Sequence, residues 1–374
     1  MVERKVAVIG AGVIGLGIGR ELARAGCRVT AWERARAGRG ASWAAAGMLS
    51  PLTEARLVES QLVKLGLESA RLYPEWVEEL ERESGLEVGY RRDGALKVAL
   101  DRDDEGDLKH LYETQRRLGL EVEWLRGDEA REREPLLSPR VMAAIHCAAD
   151  HQVDNRRLVE ALTAAFERAG GTLREEAPVE RVEVVNGRVR GVWVGGELEE
   201  AAAVILAAGC WSAQVVGLPE EVRPPVRPVR GQMVAVQMEE AMALQKVVWA
   251  PDAYLVPKGN GRLLIGATSE EKGFDARLTA GGLMDILRGA WEAVPAIYDL
   301  PVLETWAGLR PGSRDSAPIL GKTSVEGLFL ATGHFRKGIL LAPVTARQVA
   351  HLVLTGETPE TIAPFGLARF AGKG

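Results

Sequence analysis

An apolar run, Lys5-Val6-Ala7-Val8-Ile9, leads directly into Gly10-Ala11-Gly12-Val13-Ile14-Gly15 and a helix-patterned stretch to Ala25. Gly26, a second apolar run from Cys27 to Trp32, and the pair Glu33-Arg34 follow. Strand, glycine turn, helix, strand and acid in that order constrain the opening of the chain to a dinucleotide half-site. Gly10 permits the tight exit from the strand, Gly12 has no side chain to hold a pyrophosphate off the backbone, and Gly15 lets the helix approach the sheet. The bare amides at the helix N-terminus, around Val13 and Ile14, offer phosphate the positive end of the macrodipole. Glu33 stands close to the ~20-residue offset at which a carboxylate grips ribose hydroxyls, which favours FAD or NAD over NADP.

The 374 residues are enough for a substantial core and two domains. Apolar and charged shares of 47% and 26% are those of an ordinary globular protein. A net charge of −5 argues against the basic face that a nucleic-acid partner requires. Cys27, Cys147 and Cys210 are odd in number and far apart, which points to a reducing cytoplasm without disulfides. Neither they nor the scattered histidines have metal-ligand spacing, so no metal is expected. No transmembrane span and no basic-plus-apolar leader is expected from the pattern.

Further along, Gly38 to Pro51 is a small-residue loop too apolar for a solvated linker. Helices are expected over about 54–84, 103–118, 155–169, 279–293 and 338–354. Residues 88–100 read as strand, turn, strand, and Asn186-Gly187 marks a hairpin whose first strand is expected to hold Val179. Strands are expected over 203–208, 229–237, 262–268 and 328–331. Dinucleotide-type segments at the start, middle and end imply two discontinuous domains with a ligand between them. The fold class is α/β, a Rossmann-type dinucleotide-binding domain with a second, strand-rich discontinuous domain. The boundaries expected are 1–85, 146–225 and 306–374 for the dinucleotide-binding domain, and 86–145 and 226–305 for the second domain.

The opening fingerprint, the Ser42–Pro51 loop, Val204-Ile205-Leu206-Ala207-Ala208-Gly209-Cys210-Trp211-Ser212, Arg227-Pro228-Val229-Arg230-Gly231-Gln232, Trp306-Ala307-Gly308-Leu309-Arg310-Pro311 and Ala331-Thr332-Gly333-His334-Phe335-Arg336-Lys337-Gly338-Ile339-Leu340 resemble the D-amino-acid-oxidase-like flavoproteins. Within that family the chain looks most like the glycine oxidases of the thiamine pathway. The resemblance implies a Rossmann-type FAD-binding domain with a discontinuous mixed-sheet substrate domain, FAD as cofactor, and oxidation of glycine to its imine, with O2 reduced to hydrogen peroxide and sarcosine or small D-amino acids as further substrates. It also implies a homo-oligomer, with a tetramer as the form to test.

The resemblance assigns cofactor contacts to Gly10, Gly12, Val13, Ile14, Gly15, Glu33, Arg34, Ser42, Ala45, Ala46, Gly47, Met48, Val179, Trp211, Gly333, His334, Arg336, Gly338, Ile339 and Leu340. The low bulk of Ala44–Met48 suits close approach of a planar ring. The amides of Gly338-Ile339-Leu340 suit negative charge on a reduced flavin. Arg310, expected in a glycine- and proline-bounded turn between apolar runs, matches the family's carboxylate anchor, since a guanidinium holds a carboxylate by two parallel hydrogen bonds. Tyr254 and Arg336 match its neighbours, and Ser269 a further substrate-side position. Three departures stand out: Asp252, Ser269 and Lys337 replace a common histidine, methionine and asparagine. His334 is expected to be a structural hydrogen-bonding residue, and no side chain has a compelling claim to be a base. With no histidine before His110 and no cysteine after Cys210, FAD is expected to be held non-covalently. An amino-acid dehydrogenase using a quinone or electron-transfer protein, and a non-catalytic flavin subunit, are the competing readings.

Overall fold

The structure is a computed structural model that describes residues 4–54 and 60–371, and every statement below concerns those residues. The opening unit forms as the sequence implies, as strand Lys5–Ile9, helix Val13–Arg24 and strand Arg28–Trp32. Alternation along Lys5–Ile9 splits its side chains between two cores. Val6 and Val8 pack under the helices, while Ala7 and Ile9 pack on the opposite face. A strand buried on both sides must be apolar at successive positions, which explains the unbroken apolar run.

The sheet has six strands in the order Ile319–Lys322, Leu328–Thr332, Ala203–Leu206, Lys5–Ile9, Arg28–Trp32 and Thr172–Arg174. All its pairings are parallel except the first. Helices Val13–Arg24, Ser60–Ser84, Asn155–Arg168 and Gly338–Thr355 cover one face. The antiparallel meander Arg181–Val185, Arg188–Val194, Glu197–Glu200 covers the other. Its first turn is Asn186-Gly187, both at positive φ as a tight hairpin requires. Helix Gly338–Thr355 has the length and mean hydropathy of a short membrane span. Its apolarity is explained by packing, since its residues join the core shared with the other three helices.

The second sheet has eight strands, ordered Val302–Gly312, Arg227–Gln237, Arg262–Gly266, Tyr254–Pro257, Val247–Trp249, Ala95–Ala99, Ala143–Cys147, Glu123–Arg126. Only the Val247–Trp249/Ala95–Ala99 pairing is parallel, so the sheet is mixed. Helix Ala280–Ala293 packs against Val234, Val236 and Ile265 on one face. The other face presents Met233, Ala235, Val256 and Trp306 to Ala44, Ala46 and Met48 of the first domain. The two sheets therefore meet along the small-residue loop.

Five expectations require correction. The 305/306 boundary cuts strand Val302–Gly312, which pairs with Arg227–Gln237 from Val302 to Gly312. Arg310 is accordingly on a strand and not in a turn. Pro311 is tolerated because this is an edge strand, where a missing N–H need cost no ladder bond. Between 88 and 100 only Ala95–Ala99 is a strand; Arg91 makes an isolated bridge to Gln152. Val179 lies in irregular backbone just before strand Arg181–Val185. Helix Ser60–Ser84 matches the latter part of the expected helix; Glu54 is in a turn, and residues 55–59 lie outside the described residues.

Candidate active site

One cavity of about 650 Å³ runs between the two sheets, within the range of about 300–1,000 Å³ usual for ligand sites. At one end the glycine fingerprint shapes it. Gly10 has φ +100°, and a Cβ there would lie 2.5 Å from the Ala207 carbonyl oxygen. A Cβ on Gly15 would meet the Gly10 carbonyl oxygen at 2.0 Å, so Gly15 serves packing behind the wall. Gly12 differs: it lines the cavity, and the nearest atom to an added Cβ is Ser42 Oγ at 3.2 Å. Val13 N–H donates to that same Ser42 Oγ at 3.1 Å. Glu33 accepts from the amides of Ala11 (3.0 Å) and Ala35 (3.1 Å), which fixes its carboxylate at the cavity edge. Arg34 lies 3.5 Å from the centre of the Trp211 ring, and Trp211 stacks on Phe274 at 5.8 Å. Ile14 and Val179 complete this end.

The middle is the seam. Ser42, Ala45, Ala46, Gly47 and Met48 line it on one side, and His334, Gly338, Ile339 and Leu340 on the other. The loop is tied down heavily for so small a set of side chains. Asn155 Nδ2 donates to the carbonyls of Ser42 and Trp43, and Trp306 Nε1 donates to Ala44 at 3.0 Å. Gly47 has φ +76°, and a Cβ there would lie 2.1 Å from the Val153 carbonyl oxygen. Behind it, the buried Lys258 ammonium donates to Val153 O at 2.7 Å and Gln152 Oε1 at 3.0 Å. Burial pulls the pKa of this lysine down to about 7. Gly333 lies outside the cavity lining, in the turn that delivers His334. His334 is held by Thr345 Oγ1 at 3.1 Å, and burial lowers its pKa to about 3, so the ring is neutral at ordinary pH.

At the other end Arg310, Tyr254, Arg336, Lys337 and Glu54 line the cavity together. Arg310 Nη1 donates to the carbonyls of Thr268 (3.0 Å) and Arg230 (3.3 Å). Burial lowers the pKa of its guanidinium, with the Tyr254 hydroxyl beside it acting in the opposite sense. Tyr254 is raised by burial and held back by Arg310, and its hydroxyl donates to Met233 Sδ at 3.2 Å. Arg336 Nη2 reaches Ser269 Oγ at 3.4 Å, and the exposed Ser269 stands outside the lining. Asp252 is an exposed rim residue.

Three strand-interior glycines that the sequence did not single out make this end possible. A Cβ on Gly231 would collide with the Arg310 guanidinium, at 2.3 Å from both Nη atoms. One on Gly266 would lie 2.7 Å from the Tyr254 ring, and one on Gly308 would lie 2.3 Å from Ala44 Cβ. Register explains the grouping, since Gly231 pairs with Gly308 and Tyr254 with Gly266. Glycine inside a strand is itself the signal of close approach. Glu54 was missed as well, because a loop carboxylate has no periodic signature. It pairs with Lys337 Nζ at 3.2 Å. Burial would raise its carboxyl, but Lys337 and Arg336 outweigh that and hold it below the usual range.

The cavity fits an FAD. Bare backbone at Gly12 meets a helix N-terminus at one end, and a flat, small-residue cradle occupies the seam. Ser50 and Trp249 line the same space, and the buried Ser50 Oγ and Trp249 Nε1 have no hydrogen-bond partner among the described residues. Among the described residues no group of three or more His, Cys, Asp or Glu side chains is placed to hold a metal.

Comparison with known proteins agrees with this geometry. The profile of the FAD dependent oxidoreductase family (DAO) matches residues 5–352. The chain is 40% identical to a glycine oxidase of Geobacillus kaustophilus, covering 98% of this chain and 97% of that one. The crystal structure of glycine oxidase from Geobacillus kaustophilus superposes with a TM-score of 0.92 at 38% identity, covering 99% and 100% of the two chains. A bifunctional protein ThiO/ThiG of Trichormus variabilis is 34% identical over 98% of this chain and 55% of its own length.

Proposed function

The chain belongs to the FAD-dependent oxidoreductase family and is an FAD-dependent amine oxidoreductase, and from that premise we propose that it oxidises glycine to its imine with O2 reduced to hydrogen peroxide. The observation that carries the reading is the Arg310 guanidinium, anchored on one edge by two backbone carbonyls and lining the cavity beside Tyr254. A guanidinium fixed in this way meets a carboxylate without further ordering, which is how positioning lowers a barrier.

Bound FAD supplies the two-electron acceptor for the hydride that leaves the α-carbon. The protein's part is orientation and exclusion of water. Arg310 and Tyr254 take the substrate carboxylate, and Met48, Met233 and Trp249 give the same cavity an apolar wall. Burial lowers the His334 pKa to about 3 and its Nε2 is engaged with Thr345, so the ring is too weak a base to hold the amine proton. The substrate amine enters neutral, its lone pair assists hydride departure, and its proton is lost to solvent before that step. The amides at the start of helix Gly338–Thr355 offer positive potential to the reduced cofactor.

Sarcosine and small D-amino acids are secondary substrates in this reading. The imine is supplied to thiazole formation in thiamine biosynthesis, in the cytoplasm, by a homo-oligomer such as a tetramer holding FAD non-covalently. Initial rates on glycine, sarcosine and D-alanine, with peroxide measured per imine, test the assignment. Turnover of glycine with one peroxide per imine supports an oxidase. Imine without peroxide supports a dehydrogenase instead.

A further inference from the structure

The substrate end of the cavity is richer in charge than a single carboxylate requires. Arg310, Arg336 and Lys337 bring three cations to its lining, and Glu54 is the acid placed among them, with Asp252 at the exposed rim. Glu54 is positioned from behind. The fully buried Asp150 accepts from the amides of Leu52 and Thr53, each at 3.0 Å, and from the Thr53 hydroxyl. Gln115 Nε2 donates to the Leu52 carbonyl at 2.8 Å. The backbone entering Glu54 is therefore fixed, and its carboxylate meets Lys337 Nζ at 3.2 Å with the two side chains only 22% and 15% exposed. Lys337 itself is the N-cap residue of helix Gly338–Thr355, so its backbone belongs to the end of a core helix. An ion pair this enclosed is screened less than one at the surface.

We propose that Glu54 sets the charge class of the substrate: by holding Lys337 in an ion pair, it denies a second carboxylate its partner and restricts the site to amines with one acid group. The inference rests on the reading of Arg310 as the carboxylate anchor. With Arg310 and Tyr254 committed to the first carboxylate, Arg336 and Lys337 are the lining cations to which a second could turn, and the charge of both acts on Glu54. Glu54 competes for them and repels the newcomer, so a dicarboxylic amine meets a loss where glycine meets none. This is specificity by an unfavourable element, which costs the cognate ligand little. A purely structural pair, tying the loop to the helix, would make no distinction between one and two carboxylates.

The test uses the FAD-loaded protein and two ligands that cannot be oxidised, acetate and malonate, with binding read from perturbation of the flavin spectrum. Glu54→Gln is expected to raise malonate affinity relative to acetate by about tenfold, the scale of one partly screened charge. Lys337→Met in the otherwise unchanged protein is expected to lower that ratio by a similar factor, and in the double variant the gain disappears. Equal changes for both ligands, or an unchanged ratio in Glu54→Gln or Lys337→Met, overturn the proposal. Arg310→Met reports separately on the anchor. If it leaves acetate affinity intact, the anchor reading fails, whatever the malonate ratio does.

Discussion

Arg310 Nη1 donates to the Thr268 carbonyl at 3.0 Å, so one edge of the guanidinium is bonded to the second sheet before any ligand arrives. Gly231, directly across the ladder from Gly308, leaves the space in which that guanidinium lies. Replacing Arg310 should therefore remove carboxylate binding without disturbing the cofactor end. Arg310→Met is expected to raise KM for glycine about a hundredfold or more. An amine lacking the carboxylate should be affected far less. Steady-state kinetics on the two substrates checks the difference.

Gly12 and Gly15 belong to one motif yet predict opposite phenotypes. Gly12→Ala adds a methyl facing the cavity, 3.2 Å from Ser42 Oγ, so the protein should fold and lose FAD. Gly15→Ala drives its Cβ to 2.0 Å from the Gly10 carbonyl oxygen, so folding itself should suffer by several kcal/mol. Flavin content and thermal unfolding of the two proteins separate the outcomes.

The stack of Arg34, Trp211 and Phe274 joins the cofactor domain to residue 274 of the substrate domain. Phe274→Ala should speed FAD release about fivefold, equivalent to an aromatic contact of about 1 kcal/mol. Dilution into apoprotein-free buffer with flavin fluorescence as the readout measures it. Acid precipitation of the intact protein should leave a colourless pellet, because the bound FAD has no covalent tether.

His334 provides a pH test with a definite sign. Its folded pKa, about 3, lies below the ordinary 6.5. The unfolded chain therefore binds a proton that the folded one refuses as pH falls from 6.5 toward 3. Stability from this group is complete above pH 6.5 and is lost over that window, at up to about 1.4 kcal/mol per pH unit. His334→Gln, which can still bond Thr345, should flatten the slope. Urea unfolding of both proteins at pH 7, 6 and 5 gives the difference directly.

The cofactor half was legible because its signals are local. Gly10, Gly12 and Gly15 act within one turn, and apolar runs such as Ala203–Leu206 declare a strand buried on both sides. The substrate half depends on residues brought together by register. Gly231 and Gly266 make sense only beside Arg310 and Tyr254, which come from other strands. Gly308, Pro311 and Gly312 made an eleven-residue strand resemble a turn. Glu54 and Asp150 are loop carboxylates whose meaning lies in each other's neighbourhood, and no periodicity announces such residues.

The most direct measurement mixes the FAD-loaded protein with glycine in the absence of oxygen. The account predicts that the oxidised-flavin absorbance bleaches within the turnover time and returns on admission of air, with hydrogen peroxide formed. A spectrum that shifts on glycine binding but stays oxidised would contradict it.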